Sequence, residues 1–195
     1  MLVLDIESLK DARITLTLIF ANILSYFIFN LAAPEEVFFF LVQINRKIIY
    51  EYQIWRLLSS IFLHADPIHL FSNMFALLLF GATVENNKII SKIQFLIIYF
   101  ISGLIGNLFS LLLLELDSIS LGASGAIFGL IGTAFIMVTT DDPSLIFFAL
   151  FYIVFFLVTS LVEGINFWAH IFGLLGGISF GYLFYTRKRK SKPVY

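Results

Sequence analysis

The stretch SLGASGAIFGLIG, Ser120 to Gly132, opens an apolar run and places a hydroxyl between two glycines. Small residues at four-residue spacing, such as Gly125 and Gly129, let two helix backbones approach closely in a membrane. Ser124 is therefore either one more packing residue or a nucleophile. Taken alone, the stretch favours a packing role for Ser124. The choice between packing and nucleophile depends on the rest of the chain.

The composition is that of an integral membrane protein. Of the 195 residues, 60% are hydrophobic and 13% are charged, with a mean hydropathy of +0.98. This leaves too little polar surface for a soluble domain. The chain has no cysteine, which excludes disulfides, thiolate metal sites and a cysteine nucleophile. The N-terminal stretch shows no small-residue cleavage site, so we expect the first apolar run to remain as an anchor.

Six apolar segments come close to the length of about 20 residues that a membrane-spanning helix needs. We predict an all-α, polytopic membrane protein whose residues 1–195 form one membrane domain. The predicted spans are 14–33, 69–84, 93–114, 121–140, 145–162 and 167–185. The long first outer loop, Pro34 to Ile68, has apolar stretches too short to span, so we expect it to lie at the membrane interface.

The basic residues predict the orientation. With both termini in the cytoplasm, nine of the 12 Lys and Arg residues fall on the cytoplasmic side, many of them in the basic tail 186–195. Positive charge is enriched on that side of membrane proteins. We therefore expect a multi-pass protein of the cell membrane with both termini in the cytoplasm.

The three histidines, His64, His69 and His170, all fall at or near the outer ends of predicted spans. Ionisable residues in a membrane usually face a cavity or the bundle interior. His69 and Asn73 are four residues apart and share one helix face. They either bond neighbouring helices or stabilise a negative charge that develops in a reaction.

A second glycine series follows His170 at the start of the sixth span. The glycines of the fourth span are Gly122, Gly125, Gly129 and Gly132, and those of the sixth are Gly173, Gly177 and Gly181. We expect these two helices to pack with little side chain between them, which would bring Ser124 within hydrogen-bond reach of His170. Histidine is the usual base for a serine nucleophile. Neither span contains an acid, so the pattern predicts a Ser-His dyad oriented by packing.

Taken in order, these motifs resemble those of the rhomboid family of intramembrane serine proteases. The matching segments are WR (Trp55-Arg56), HADPIHLFSN (His64 to Asn73), GATVE (Gly81 to Glu85), GASGAIFG (Gly122 to Gly129) and AHIFGLLGG (Ala169 to Gly177). The resemblance covers essentially the whole chain. It implies a six-transmembrane-helix, rhomboid-like bundle that cleaves transmembrane segments of membrane-protein substrates.

The resemblance also implies a role for each matching residue. Ser124 would be the nucleophile and His170 the general base, while His69, Asn73 and the Ser124 backbone N–H would form the oxyanion hole. Residues with an expected structural role are Gly122, Gly125, Phe128, Gly173 and Gly177 near the site, Trp55 and Arg56 in the first outer loop, and Glu85 at the inner end of the second span. Some family members carry a tyrosine at the position of Phe128, stacked on the catalytic histidine. Phenylalanine keeps that ring, so we expect activity to persist.

The same resemblance implies how substrates reach the site. The active site would open to the extracytoplasmic side, and substrates would enter laterally through movement of the fifth span. The loop Glu163 to Trp168 would act as a cap. The expected partners are membrane-protein substrates and the lipid bilayer, without nucleic acid; we predict no metal and no cofactor, and the sequence does not specify an oligomeric state.

Two other functions stay open from the sequence. A catalytically inactive rhomboid-like protein that binds membrane helices would typically lack Ser124 or His170, and both are present. A small transporter could use the three histidines as a proton or metal relay. It would more often show a repeat or helices interrupted at mid-membrane, and neither is evident in the sequence.

Overall fold

The computed structural model describes residues 11–161 and 164–190, most of which are helical. In chain order the helices are α1 (Arg13–Ala32), α2 (Glu35–Leu41), α3 (Asn45–Glu51), α4 (Arg56–Ser59), α5 (Pro67–Glu85), α6 (Lys92–Leu113), α7 (Ser124–Asp141), α8 (Pro143–Thr159) and α9 (Phe167–Arg189). Five of these, α1, α5, α6, α7 and α9, are long and apolar enough to cross a membrane. The apolar helix α8 is shorter: its 14 α-helical residues extend only about 21 Å.

The predicted helical membrane bundle is confirmed, and its apolar helices begin within three residues of the approximate predicted spans. Helix α5 begins at Pro67 because Asp66 Oδ1 accepts the backbone N–H groups of Ile68 and His69, each at 2.8 Å. Helix α7 begins at Ser124 because Gly122 has φ +121°, which a helix cannot contain. The last residue of the predicted fifth span, Val162, and residues 191–195 of the predicted basic tail lie outside the described residues.

The long connection between α1 and α5 forms short helices and one strand. Strand β1 (Gln43–Ile44) pairs antiparallel with β2 (Ile119–Ser120), which precedes α7. The guanidinium of Arg56 is buried and donates from Nη1 to the carbonyls of Phe39 and Val42, each at 2.6 Å. Trp55 Nε1 donates to the neighbouring carbonyl of Phe40 at 3.2 Å. These bonds hold α2 against α4.

The closest packing in the bundle lies between α7 and α9. A Cβ added at Gly177 would overlap the carbonyl of Gly129, and one at Gly173 would overlap the carbonyl of Gly125. Thr133 Oγ1 also donates to Gly177 O at 2.9 Å. We call this contact the glycine seam, defined by Gly125, Gly129, Gly173 and Gly177. The approach of the two backbones agrees with the spacing of the two glycine series.

At the end of the bundle opposite Ser124, a carboxylate caps a helix. Glu85 is 3% exposed. Its two oxygens accept the backbone N–H groups of Ile14 at 2.9 Å and Thr15 at 2.7 Å, and Lys92 Nζ lies 2.8 Å from Oε1. The first N–H groups of a helix have no intrahelical acceptor. Glu85 therefore joins the end of α5 to the start of α1.

Helix α8 packs on the bundle far more loosely than α7 and α9 do. Of residues 146–159, Ile153 alone is buried. Phe147 and Phe151 are 82% and 65% exposed. An apolar helix with this much exposed aromatic surface is suited to contact with lipid.

Candidate active site

Ser124 and His170 meet at one end of the glycine seam. Ser124 is the first residue of α7, and His170 lies in the first turn of α9. His170 Nε2 lies 2.7 Å from Ser124 Oγ. His170 is buried, whereas Ser124 is partly exposed. A serine hydroxyl bonded to an imidazole is arranged for the histidine to take its proton.

Two further contacts fix the imidazole of His170. Phe128, one turn after Ser124, stacks on the ring with centroids 4.3 Å apart and an interplanar angle of 15°. Ser160 Oγ, at the end of α8, lies 2.6 Å from His170 Nδ1. The ring is therefore contacted on one face and at both nitrogens.

His69 faces the same small volume as Ser124. A Cβ built on Gly122 would lie 2.9 Å from His69 Nε2 and 3.8 Å from Ser124 Oγ. The absence of a side chain at Gly122 thus leaves room for the His69 ring beside the serine. The loop is fixed there by the bond from Gly122 N to Ser60 O, at 2.9 Å.

Asn73 lies on the buried face of α5, one turn after His69, and is 6% exposed. Its Nδ2 donates to His69 O at 2.9 Å, and its buried Oδ1 has no hydrogen-bond partner among residues 11–161 and 164–190. One amide hydrogen is left over. The structure brings Asn73 to the same end of the bundle without a direct bond to Ser124.

His64, to which the sequence interpretation gave no separate role, packs against His69. The two rings lie 5.1 Å apart in an edge-on arrangement, and the His64 side chain is fully buried. Burial lowers the pKa of His64 to about 3, so this imidazole is neutral at ordinary pH. Within the described part of the chain, no group of three His, Asp or Glu side chains could hold a metal ion.

Two polar residues at the site were missed by the sequence analysis. Asn166 caps α9 by accepting the Ala169 N–H at 3.1 Å, and its Nδ2 donates to Ser110 and Ser120, each at 2.8 Å. An asparagine just before an apolar run is a helix N-cap signal, which could have identified it. No sequence signal marks Ser160, whose contact with His170 joins two different helices. Glu163, in the predicted cap, lies outside the described residues.

Comparison with known proteins finds a matching family model and several proteins of similar sequence. The model of the Rhomboid domain matches residues 51–187. The chain is 36% identical over 143 residues to the "Putative rhomboid protease YdcA" of Bacillus subtilis (strain 168), covering 70% of each chain. It is 35% identical over 152 residues to "Rhomboid-like protease 1" of Toxoplasma gondii, covering 73% of this chain and 51% of the relative. With "RHOMBOID-like protein 2" of Arabidopsis thaliana it shares 38% identity over 148 residues, which is 73% of this chain.

The relatives differ in how much of their own length is matched. The chain spans about half the length of the Arabidopsis and Toxoplasma relatives, 46% and 51% respectively. The Bacillus relative is matched over 70% of its length.

Proposed function

The chain belongs to the rhomboid family, and from this we propose that it is an intramembrane serine endopeptidase that cleaves transmembrane segments of membrane proteins. The observation that carries the proposal is the 2.7 Å contact between Ser124 Oγ and His170 Nε2. Ser124 is the nucleophile and His170 the general base. Relatives that carry the word protease in their names support the reaction class.

The reaction would proceed through an acyl-enzyme. Ser124 Oγ attacks the peptide carbonyl while its proton passes to His170 Nε2. The tetrahedral intermediate collapses, and His170 gives the proton to the leaving amine. Water then attacks the ester, with His170 again taking and returning a proton, and Ser124 is regenerated.

The negative charge of the intermediate needs donors beside Ser124. We assign this role to His69, Asn73 and the backbone N–H of Ser124. The position of His69 across Gly122 supports its role as a donor. The amide hydrogen of Asn73 that is not used in the bond to His69 O supports the same role for Asn73. The N–H of Ser124 is in the first turn of α7, where it has no intrahelical acceptor.

Substrates would be helices that unwind at the cut site, because a helical carbonyl is already bonded. We expect small or helix-weakening residues around the cleaved bond and lateral entry past α8. The loose packing of α8, with Ile153 as the buried residue of its α-helical part, supports this route.

We further propose that the end of the bundle carrying Ser124 faces the extracytoplasmic side of the cell membrane, with both termini in the cytoplasm. Because the chain has no cysteine, single variants can report the orientation in intact cells. Glu115→Cys lies at the Ser124 end and Lys88→Cys at the other end, and both side chains are exposed. An impermeant maleimide should label Glu115→Cys alone; labelling of Lys88→Cys alone would reverse the orientation.

The nucleophile is tested with a fluorophosphonate probe on purified protein in detergent. We expect covalent labelling of the native chain, none in Ser124→Ala and a strong reduction in His170→Ala. Equal labelling of Ser124→Ala would refute the assignment. A native chain that binds transmembrane peptides without labelling or cleavage would instead identify an inactive helix-binding protein.

The oxyanion role of Asn73 is tested separately. Removing one oxyanion donor slows catalysis by about 100- to 1,000-fold in comparable enzymes. Asn73→Ala should therefore lower kcat for cleavage of a transmembrane reporter while the folded fraction stays unchanged. Loss of folded protein in proportion to the loss of rate would indicate a packing role.

A further inference from the structure

Ser160 contacts the ring nitrogen of His170 that does not face the nucleophile. Its Oγ lies 2.6 Å from His170 Nδ1, and its side chain is 3% exposed. The residue stands at the end of α8, whereas Ser124 and His170 belong to α7 and α9. A third helix therefore reaches the imidazole.

The direction of this hydrogen bond follows from counting protons. The Ser160 hydroxyl has one proton, and its Oγ also lies 2.9 Å from the carbonyl of Phe156, which can only accept. With that proton donated to Phe156, Ser160 Oγ accepts from His170 Nδ1–H. The imidazole is then protonated at Nδ1, and the lone pair of Nε2 points at the Ser124 hydroxyl, which is the form that a general base needs.

No carboxylate among residues 11–161 and 164–190 bonds the His170 ring. Within residues 11–161 and 164–190, the hydrogen bonds of the His170 ring go to Ser124 and Ser160 alone. The stacked ring of Phe128 restricts the plane of the imidazole, yet it does not distinguish the two nitrogens. The hydroxyl of Ser160 makes that distinction.

The following inference rests on the proposed protease function. We propose that Ser160 is a positioning residue, which holds His170 in the Nδ1–H tautomer and links the base to the end of α8. Ser160 would act through His170 without touching the substrate. Its loss should therefore lower kcat and leave KM nearly unchanged.

The chain offers a matched control on the same turn. Thr159 Oγ1 donates to the same carbonyl of Phe156 at 2.7 Å, but Thr159 is exposed and makes no bond to His170. Thr159→Ala thus removes a hydroxyl from the same helix end and leaves the imidazole contact in place. Ser160→Thr keeps the hydroxyl at the position under test.

The experiment compares these variants for fluorophosphonate labelling, for kcat and KM on a transmembrane reporter, and for thermal unfolding. Ser160→Ala should lower kcat by about 10- to 100-fold, the range expected for one hydrogen bond at a buried group. KM should stay within about twofold. Thr159→Ala should stay within about twofold of the native rate, and Ser160→Thr should recover most of it.

Three outcomes would overturn the inference. The first is an unchanged kcat in folded Ser160→Ala. The second is an equal loss of rate in Ser160→Ala and Thr159→Ala, which would indicate a structural role at the end of α8. The third is a native chain that fails to label, because the proposed function then fails and the role of Ser160 fails with it. Full labelling of the native chain with no effect at Ser160 would refute the inference alone.

A second variant and a spectroscopic signal keep the test decisive if Ser160→Ala does not fold. Ser160→Cys is similar in size and offers only a weak hydrogen bond, so it should also lower kcat. The native protein should show an imidazole N–H proton resonance that is lost in His170→Ala. That resonance should be lost in Ser160→Cys and kept in Thr159→Ala; its persistence in Ser160→Cys would show that Ser160 does not hold the tautomer.

Discussion

The glycine seam and helix α8 both place side chains at the His170 imidazole, but the seam is tightly packed and α8 is loosely packed. In the seam, the backbones of α7 and α9 touch at Gly129 and Gly177 with no side chain between them. In the α-helical part of α8, Ile153 is the buried residue and most aromatic side chains are exposed. The proposed nucleophile and base thus belong to the two helices whose backbones pack most closely. The contact that orients the base comes from a part with few buried contacts.

The largest expected effect comes from forcing the seam apart. Gly177→Ala should lower the free energy of unfolding by about 3 kcal/mol or more, because the added Cβ would overlap the Gly129 carbonyl and backbone cannot be repacked easily. Fluorophosphonate labelling should be lost as Ser124 and His170 separate. Denaturation in detergent and labelling measure the two effects.

The neighbouring glycine is the control for the seam. A Cβ at Gly176 would lie 3.2 Å from Ser102 Oγ and 3.3 Å from the tip of Ile105, both of them side-chain atoms. Gly176→Ala should therefore cost no more than about 1 kcal/mol and keep most labelling. If both variants behave alike, close backbone contact is not what joins the pair.

An intermediate effect is expected from Gly122→Ala, a substitution that disturbs the site but leaves the glycine seam intact. Its φ of +121° disfavours any side chain, and the new methyl group would lie 2.9 Å from His69 Nε2. Gly122→Ala should lower kcat/KM by about tenfold or more, equivalent to about 1.4 kcal/mol of transition-state stabilisation. Cleavage kinetics measure this change; a native rate in the folded variant would show that the His69 position does not matter.

The smallest effect is expected from loosening α8. Ile153→Ala removes packing atoms, but lipid is as apolar as the side chain, so the loss of stability should be only about 1 kcal/mol. Cleavage should slow a few-fold, because the end of α8 that carries Ser160 is less firmly seated. Phe151→Ala, at a side chain 65% exposed, is the control and should keep the native rate. A larger loss in Phe151→Ala than in Ile153→Ala would contradict the lipid-facing assignment of Phe151.

Much of the fold could be predicted from the sequence, because membrane spans and helix contacts leave direct signals. Apolar length predicts the bundle. The spacing of Gly125, Gly129, Gly173 and Gly177 predicts which two helices touch, and their contact is enough to bring Ser124 to His170. The proposed roles of His69 and Asn73 come from the resemblance to rhomboid proteases, because their spacing alone left the roles open.

The rest could not be predicted because it depends on how separate segments meet in space. Ser160 contacts His170 only because of where α8 lies in the bundle. Helix α8 has almost no buried residues, so its sequence pattern does not predict that position. The loop that places Gly122 against His69 is also set by a contact across the fold, from Gly122 N to Ser60 O. The exact helix starts have local causes: Asp66 caps α5 before Pro67, and the positive φ of Gly122 comes just before α7.

We propose that Ser124 and His170, which the glycine seam brings together, perform the reaction. The most direct measurement is cleavage of a transmembrane reporter by the native chain and Ser124→Ala, each reconstituted alone in proteoliposomes, with the products identified by mass. We expect the native chain to cut the reporter within its membrane segment and Ser124→Ala to leave it intact. Cleavage by Ser124→Ala at the same bond and a comparable rate would contradict this account.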